Sequence, residues 1–390
     1  MNRRSNRNER KERLIVLVDI YHLYIAETGI KSYIQNFIQM VENSEDKLHA
    51  YHFVPSLKKV KKQTNFRKRN LVLVRLLGQL EGFLWKQLYM PFKCLIMKPD
   101  VVFFPDYYAP FYKLKAKKLV MFHDTFFWDT PQHYGRLWLK YFLWATKMGL
   151  RGNSSVFTIT QFSKQKIGKI ISPAIPIDFQ HHPALQLWTS ERLNTGILEG
   201  FDLKKNKYFL HVGVFEKRKD LPLLVEAFSQ FKMLNKVHDY KLVLVGKRAP
   251  NKRFDDFHLI KSRIEKEPAL AKDVILAGYL SKDKVQDLYQ NALSYVFPSN
   301  NEGFGFPIIE SYINNCPVIV SNQGALTEVA GEAALTFKVG DLDDLVSQMS
   351  RIYLEPELRE ILIKNGKERL SLFEPRAYFN QFERYLTKMA

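Results

Sequence analysis

The stretch Tyr295–Ser321 reads YVFPSNNEGFGFPIIESYINNCPVIVS, an order of residue types that spells strand, glycine turn, helix and strand again. Tyr295–Phe297 is a β-rich apolar run, Pro298–Asn301 a turn, and Pro307 opens a helix that must end before Pro317. Proline suits a first helical turn because its missing N–H costs no hydrogen bond there. Gly303 and Gly305 let the backbone come close to a ligand, with Phe304 and Phe306 between and after them. The helix beyond presents unpaired N–H groups and the positive end of its dipole. Glu302 precedes the turn and Glu310 lies just inside the helix. Such a pocket can take an anion on its amides and sugar hydroxyls on its carboxylates. The pattern alone also fits a glycine-containing turn with two solvent-facing glutamates.

Working outward, the C-terminal half carries strand-like runs at Tyr208–Phe215, Lys241–Val245, Val274–Ala277, Ser294–Phe297, Val318–Ser321 and Ala334–Phe337. In the N-terminal half the corresponding runs are Leu14–Asp19, Leu48–Val54, Val101–Phe104, Leu119–His123 and Ser155–Thr160. Helical periodicity between most of them implies parallel sheets, so each half reads as a doubly wound α/β domain. Ligands then belong at the carboxyl ends of the strands. Pro173, Pro176, Pro183 and Gly196 place the domain boundary within 173–207. Two segments depart from the rhythm, Leu57–Met97 and the helical tail Arg376–Met389, which either caps the second domain or crosses back to the first.

With 390 residues, 46% hydrophobic and 25% charged, the chain has room for two cores and is neither disordered nor collagen-like. Two cysteines, Cys94 and Cys316, exclude a disulfide scaffold, and the absence of zinc-type Cys/His spacing excludes a structural zinc module. Asp19 interrupts the apolar run after the basic N-terminus too early for a signal peptide, and Asn314, Asn315 and Pro317 break the charge-free stretch before Glu328. A cytoplasmic or peripheral protein is expected. Of the net charge of +19, residues 1–200 carry +16, so the N-terminal half should face something anionic: lipid headgroups, nucleic acid or a phosphorylated substrate. Nine cations and no acid lie between Asp46 and Glu81, among them Lys58, Lys59, Lys61, Lys62, Arg67, Lys68 and Arg69. The apolar segment that follows, including Leu80, Leu84 and Trp85, makes this a membrane-surface pattern, with a solvated loop beside a core helix as the other reading. No nucleic-acid motif accompanies it.

The residues from Glu302 to Glu310 resemble the E-x7-E motif of retaining glycosyltransferase family 4, enzymes of the GT-B fold. His211–Asp220 is similar to that family's glycine-then-Arg-Lys segment, and Cys316–Ser321 and Gly324–Gly331 to the strand and helix that follow its motif. The likeness covers nearly all of residues 208–371 and is thinner before them, at Gly29–Tyr33, His123-Asp124 and Thr158–Lys164.

The resemblance implies two Rossmann-like domains facing a cleft: an acceptor domain over 1–190, a nucleotide-sugar donor domain over 191–373, and a helix over 374–390 packing back on the first. It further implies Arg218 and Lys219 on the donor diphosphate, Glu310 on the ribose and Glu302 near the transferred sugar. His123 would hydrogen-bond that sugar, while Gly213 and Gly29 would bring backbone to the phosphates. Val214 and Phe215 stand where many relatives have a further Arg, and Thr28 where they have a first glycine. No metal or other cofactor is expected, since the acidic cluster Asp341–Asp344 looks like a helix N-cap. The expected partners are a nucleotide-sugar, a glycan or lipid-linked acceptor and an anionic membrane surface on its cytoplasmic side, with no nucleic acid. The activity implied is hexosyl transfer in surface-polysaccharide assembly, of the mannosyl or rhamnosyl type. A catalytically inert peripheral adaptor or a basic RNA-binding protein is the alternative, and neither a covalent nor a front-face route is singled out.

Overall fold

The computed structural model describes residues 13–25, 29–57, 78, 80–184, 191–249, 253–268 and 270–390. Among them are two parallel six-stranded sheets. The first contains β1 (Ile15–Asp19), β2 (Ala50–Val54), β3 (Val101–Phe104), β4 (Lys117–Phe122), β5 (Ser154–Thr158) and β6 (Ile177–Phe179), in the order β2-β1-β3-β4-β5-β6. The second contains β7 (Tyr208–Val212), β8 (Lys241–Val245), β9 (Val274–Gly278), β10 (Ser294–Phe297), β11 (Val318–Ser321) and β12 (Ala334–Phe337), in the order β12-β11-β10-β7-β8-β9. Helices follow most strands, giving the two-domain α/β architecture that the alternation of patterns predicts. The central strands are apolar without interruption and buried on both faces, as in Leu242–Val245 and Val101–Phe104, because helices cover each side of a parallel sheet. The winding reverses between β1 and β3 in one sheet and between β7 and β10 in the other, and each reversal opens a crevice at the strands' carboxyl ends.

The described residues within 1–158, 166–180 and 376–390 form one compact unit, and those within 159–165 and 181–375 the other. The division thus falls ahead of residue 190, for a physical reason. Gln180 N still donates to Thr158 O of β5, whereas His181 Nε2 pairs with Glu328 at 2.8 Å. The Glu328 carboxylate also accepts from Gln161 N and Phe162 N, which draws 159–165 into the second unit. Strand β6 has no counterpart in the sequence reading: three residues among prolines offer no apolar run, and pairing to β5 alone makes them a strand.

The terminal helix Pro375–Met389 completes the first unit. Phe382 packs 5.1 Å from Phe37 and 5.2 Å from Phe103, and Tyr33 and Tyr378 share a hydrogen bond of 2.9 Å. Glu383, 1% exposed, accepts from Leu48 N, His49 N and Tyr51 Oη at 3.0–3.2 Å, so the backbone entering β2 satisfies its charge.

Candidate active site

At the switch point of the second sheet, β7 and β10 lie side by side, and the chain leaving each carries charged residues. Beyond β7, Gly213 N donates to Val245 O at 2.9 Å. A Cβ on Gly246 (φ +154°) would fall 1.7 Å from Gly213 O, so the two strand ends meet only because glycine stands there. A 3-10 turn, Lys217–Lys219, then delivers Arg218 and Lys219, and Asp220 in left-handed conformation (φ 48°) starts the helix Leu221–Leu234. Beyond β10, Asn300 N donates to Arg218 O at 2.8 Å and ties the two loops together. Gly305 (φ +111°) opens the helix Phe306–Ile313, where a Cβ would lie 2.8 Å from Leu326 Cδ2.

These loops bring Glu302, Arg218 and Lys219 into one cluster. Glu302 Oε1 accepts from Arg218 Nη1 and Lys219 Nζ, each at 2.5 Å, and lies 2.9 Å from Ser299 Oγ. Arg218 Nε donates to Glu216 Oε2 at 2.7 Å, and Lys219 Nζ sits 4.4 Å over the Phe297 ring. Burial alone would raise the Glu302 carboxyl, but Arg218 and Lys219 outweigh it and hold the group at about 2. Lys219 is lowered by burial and by Arg218, which Glu302 only partly offsets. Glu310 is the opposite case. Burial lifts its carboxyl to about 7, and the Tyr289 hydroxyl, donating to Oε2 at 3.1 Å, recovers only part of the shift. One carboxylate is permanently charged and the other is poised at neutrality, the divergence that marks chemically distinct roles.

The remaining candidates fall elsewhere. Phe304 is 3% exposed and packs among His182, Phe306 and Phe373, so its side chain is core and only its backbone borders the site. Gly303 O accepts from Thr160 Oγ1 at 3.2 Å. In the first unit, His123 follows β4, and its Nε2 donates to Pro105 O at 3.0 Å. Burial lowers it to about 4, so the ring is neutral and Nδ1 is an acceptor. Gly29 is the exposed first residue of the helix Gly29–Asn43, where a Cβ would meet nothing, so the conformation there does not demand glycine. Lys58, Lys59, Lys61, Lys62, Arg67, Lys68 and Arg69 lie outside the described residues. Asp341 caps its helix by accepting from Asp344 N.

Three site residues escaped the sequence reading. Tyr289 supports Glu310 from a helix 21 positions upstream, a link no local pattern reveals. Ser299 lies within 2.8 Å of Arg218 O as well as near Glu302, so it joins both loops. His211 donates from Nδ1 to Val296 O at 2.9 Å, and burial holds its ring at about 3. Its Nε2 has no hydrogen-bond partner among the described residues. The signal was a histidine inside the otherwise apolar strand YFLHV.

Residues 199–369 match the family description Glycosyl transferases group 1. The chain is 24% identical over 274 residues to the O-antigen chain mannosyltransferase B of Escherichia coli, covering 67% of each. Its fold matches a glycosyltransferase from Rickettsia africae with TM-score 0.69 at 16% identity, over 97% of this chain and 99% of that one. It also matches Anabaena HepE in complex with UDP, with TM-score 0.69 at 15% identity, over 96% and 100%. Among the described residues no helix is long and apolar enough to cross a membrane. With a paired carboxylate and two cations at the switch point of a second parallel sheet, the chain is a glycosyltransferase of GT-B architecture whose residues 199–369 match the group 1 description.

Proposed function

We propose that the protein is a retaining, metal-independent hexosyltransferase that moves a mannosyl-type sugar from a nucleotide-sugar to a hydroxyl of a glycan or lipid-linked acceptor in surface-polysaccharide assembly, while attached peripherally to the anionic inner face of a membrane. The observation that carries this reading is the Glu302 carboxylate between Arg218 and Lys219 at the β7/β10 switch point. The O-antigen mannosyltransferase supports the pathway and sugar class, and the UDP bound by HepE supports a nucleoside diphosphate leaving group.

As the bond from C1 of the sugar to the phosphate oxygen breaks, negative charge grows on the diphosphate. Arg218, Lys219 and the positive end of the helix Phe306–Ile313 stabilise that charge. Arg218 and Lys219 pair with Glu302, and a diphosphate would share them, turning Glu302 toward the sugar. The reading takes the front-face route for retention. There the acceptor oxygen bonds C1 on the side the phosphate leaves, and the hydroxyl proton passes to the departing phosphate oxygen. Glu310 accepts from ribose hydroxyls, and Gly213 offers backbone to phosphate.

Thermal shift against UDP-, GDP-, ADP- and dTDP-sugars tests the reading. A cognate donor at 100 times its Kd should add ~2.7 kcal/mol of stability. The response should vanish in the Arg218→Ala/Lys219→Ala variant. Silence from every donor would contradict the proposal.

A further inference from the structure

The helical stretch 80–97 of the first unit packs Met90 into the core with Trp85, Tyr89, Cys94 and Met97 against it, and turns two polar side chains inward beside them while large apolar ones face outward. Lys86 and Gln87 are buried, whereas Leu84, Leu88, Phe92, Leu95 and Ile96 are 43–70% exposed. The rotation is fixed from beneath. Lys86 Nζ lies 2.7 Å from Asp19 Oδ2 at the end of β1 and 2.6 Å from Asp106 Oδ1 just past β3. Trp85 Nε1 donates to Asp19 Oδ1 at 3.0 Å, and Gln87 Oε1 accepts from Phe111 N at 3.0 Å. These three consecutive residues lie in a π-helical turn, Trp85–Tyr89. Burying an ammonium with two carboxylates is expensive, and a rotated helix with its leucines inside would be the cheaper arrangement in water. The arrangement holds the leucines out, so water is not the medium they are built to meet.

The apolar surface continues beyond the helix. Leu84, Leu88, Tyr89, Phe92, Leu95 and Tyr112 line an open trough of about 680 Å³. Phe111 joins it to Trp144, at 5.0 Å, on the helix Arg136–Gly149, where Leu137 is 86% exposed. Cations border this surface. Lys93 Nζ lies 5.6 Å over the Tyr89 ring, and Lys98, Lys113, Lys140 and Lys147 are exposed. In the segments 80–98, 111–115 and 136–149 the one acid is Glu81. A symmetric second copy would set these lysines against one another. A lipid leaflet with anionic headgroups fits both the apolar centre and the cationic edge, with tyrosine and tryptophan at the polar boundary.

We propose that this face lies in an anionic lipid leaflet, with Leu84, Leu88, Phe92 and Leu95 entering the acyl boundary and the surrounding lysines reaching headgroup phosphates. The inference rests on the peripheral attachment proposed above and gives it a contact surface. The test is sedimentation of the full chain with phosphatidylglycerol/phosphatidylcholine vesicles across a salt series, alongside Leu88→Ser/Phe92→Ser/Leu95→Ser and a variant with Lys93, Lys98, Lys113, Lys140 and Lys147 changed to Gln. The wild type should bind at low salt and retain a salt-resistant fraction. The serine variant should lose that fraction at least tenfold, and the glutamine variant should lose the salt-dependent part. Three results would overturn the proposal: no vesicle binding at low salt, unchanged binding by the serine variant, or a wild-type dimer in sedimentation velocity that this variant dissolves. A melting temperature lower in the serine variant than in the wild type would also overturn it, showing that the chain covers its own face. Nucleotide-sugar thermal shift on the same samples separates failure of this surface from failure of the transferase reading.

Discussion

Glu302 and Glu310 are the same residue type on one loop-helix segment, and their neighbours make them different acids. Glu302→Gln keeps the shape but removes the charge that Arg218 and Lys219 hold, so turnover should fall by about 10²–10³-fold while bare-nucleotide affinity does not weaken. Glu310→Ala should raise the nucleotide Kd instead; equal effects on nucleotide binding would refute the division. Because burial places the Glu310 carboxyl at about 7, nucleotide affinity should improve as pH rises through that value, and Glu310→Gln should flatten the profile. Tyr289→Phe removes the hydrogen bond that favours the carboxylate, so its profile should move to higher pH. Stability carries opposite signs at the two sites. Glu302, depressed to about 2 from the usual 4.5, stabilises above that usual value, and the contribution disappears as pH falls through about 2. Glu310, raised to about 7, costs stability as pH climbs from 4.5 past 7, so Glu310→Gln should melt higher than the wild type at pH 8 and not at pH 4.

At the scale of elements, the turn opening the helix Phe306–Ile313 depends on Gly305. Gly305→Ala faces both a left-handed backbone and Leu326 Cδ2 at 2.8 Å, and should cost about 2 kcal/mol and shift the helix N-terminus offered to a phosphate. A variant with unchanged melting and unchanged nucleotide affinity would remove that role. Glu383→Ala strips the carboxylate from three donors at the entry to β2 and should cost about 3 kcal/mol in the first unit, read by calorimetry. The sheets were legible because buried parallel strands are written as continuous apolar runs: Val101–Phe104, Lys241–Val245 and Val318–Ser321 emerge with the ends the pattern assigns. Strand β6 was not legible, because its conformation comes from β5 and not from its own residues. The Glu302 cluster was legible through a local motif, with its cations at the end of one strand and its carboxylate at the end of another. Tyr289 and the inward-facing Lys86 were not, since each answers a partner distant in sequence.

At the scale of the whole molecule, charge and chemistry are partitioned. Residues 1–200 carry +16 and include the apolar, lysine-bordered face, while residues 201–390 carry +3 and include the carboxylate-cation cluster. Substitutions on the lysine-bordered face should therefore leave donor binding intact, and substitutions at Arg218 and Lys219 should leave lipid binding intact, both readable on one set of samples. If the two cations and the helix amides supply all the charge the leaving group needs, turnover should persist in EDTA; complete loss restored by Mg²⁺ or Mn²⁺ would overturn that account. The central claim is retaining transfer at this cluster, and ¹H NMR of the sugar first released when the cognate nucleotide-sugar is slowly hydrolysed tests it most directly. The account predicts a hemiacetal with the donor's anomeric configuration, formed before mutarotation and lost in Arg218→Ala/Lys219→Ala. An inverted anomer, or release undiminished in that variant, would contradict it.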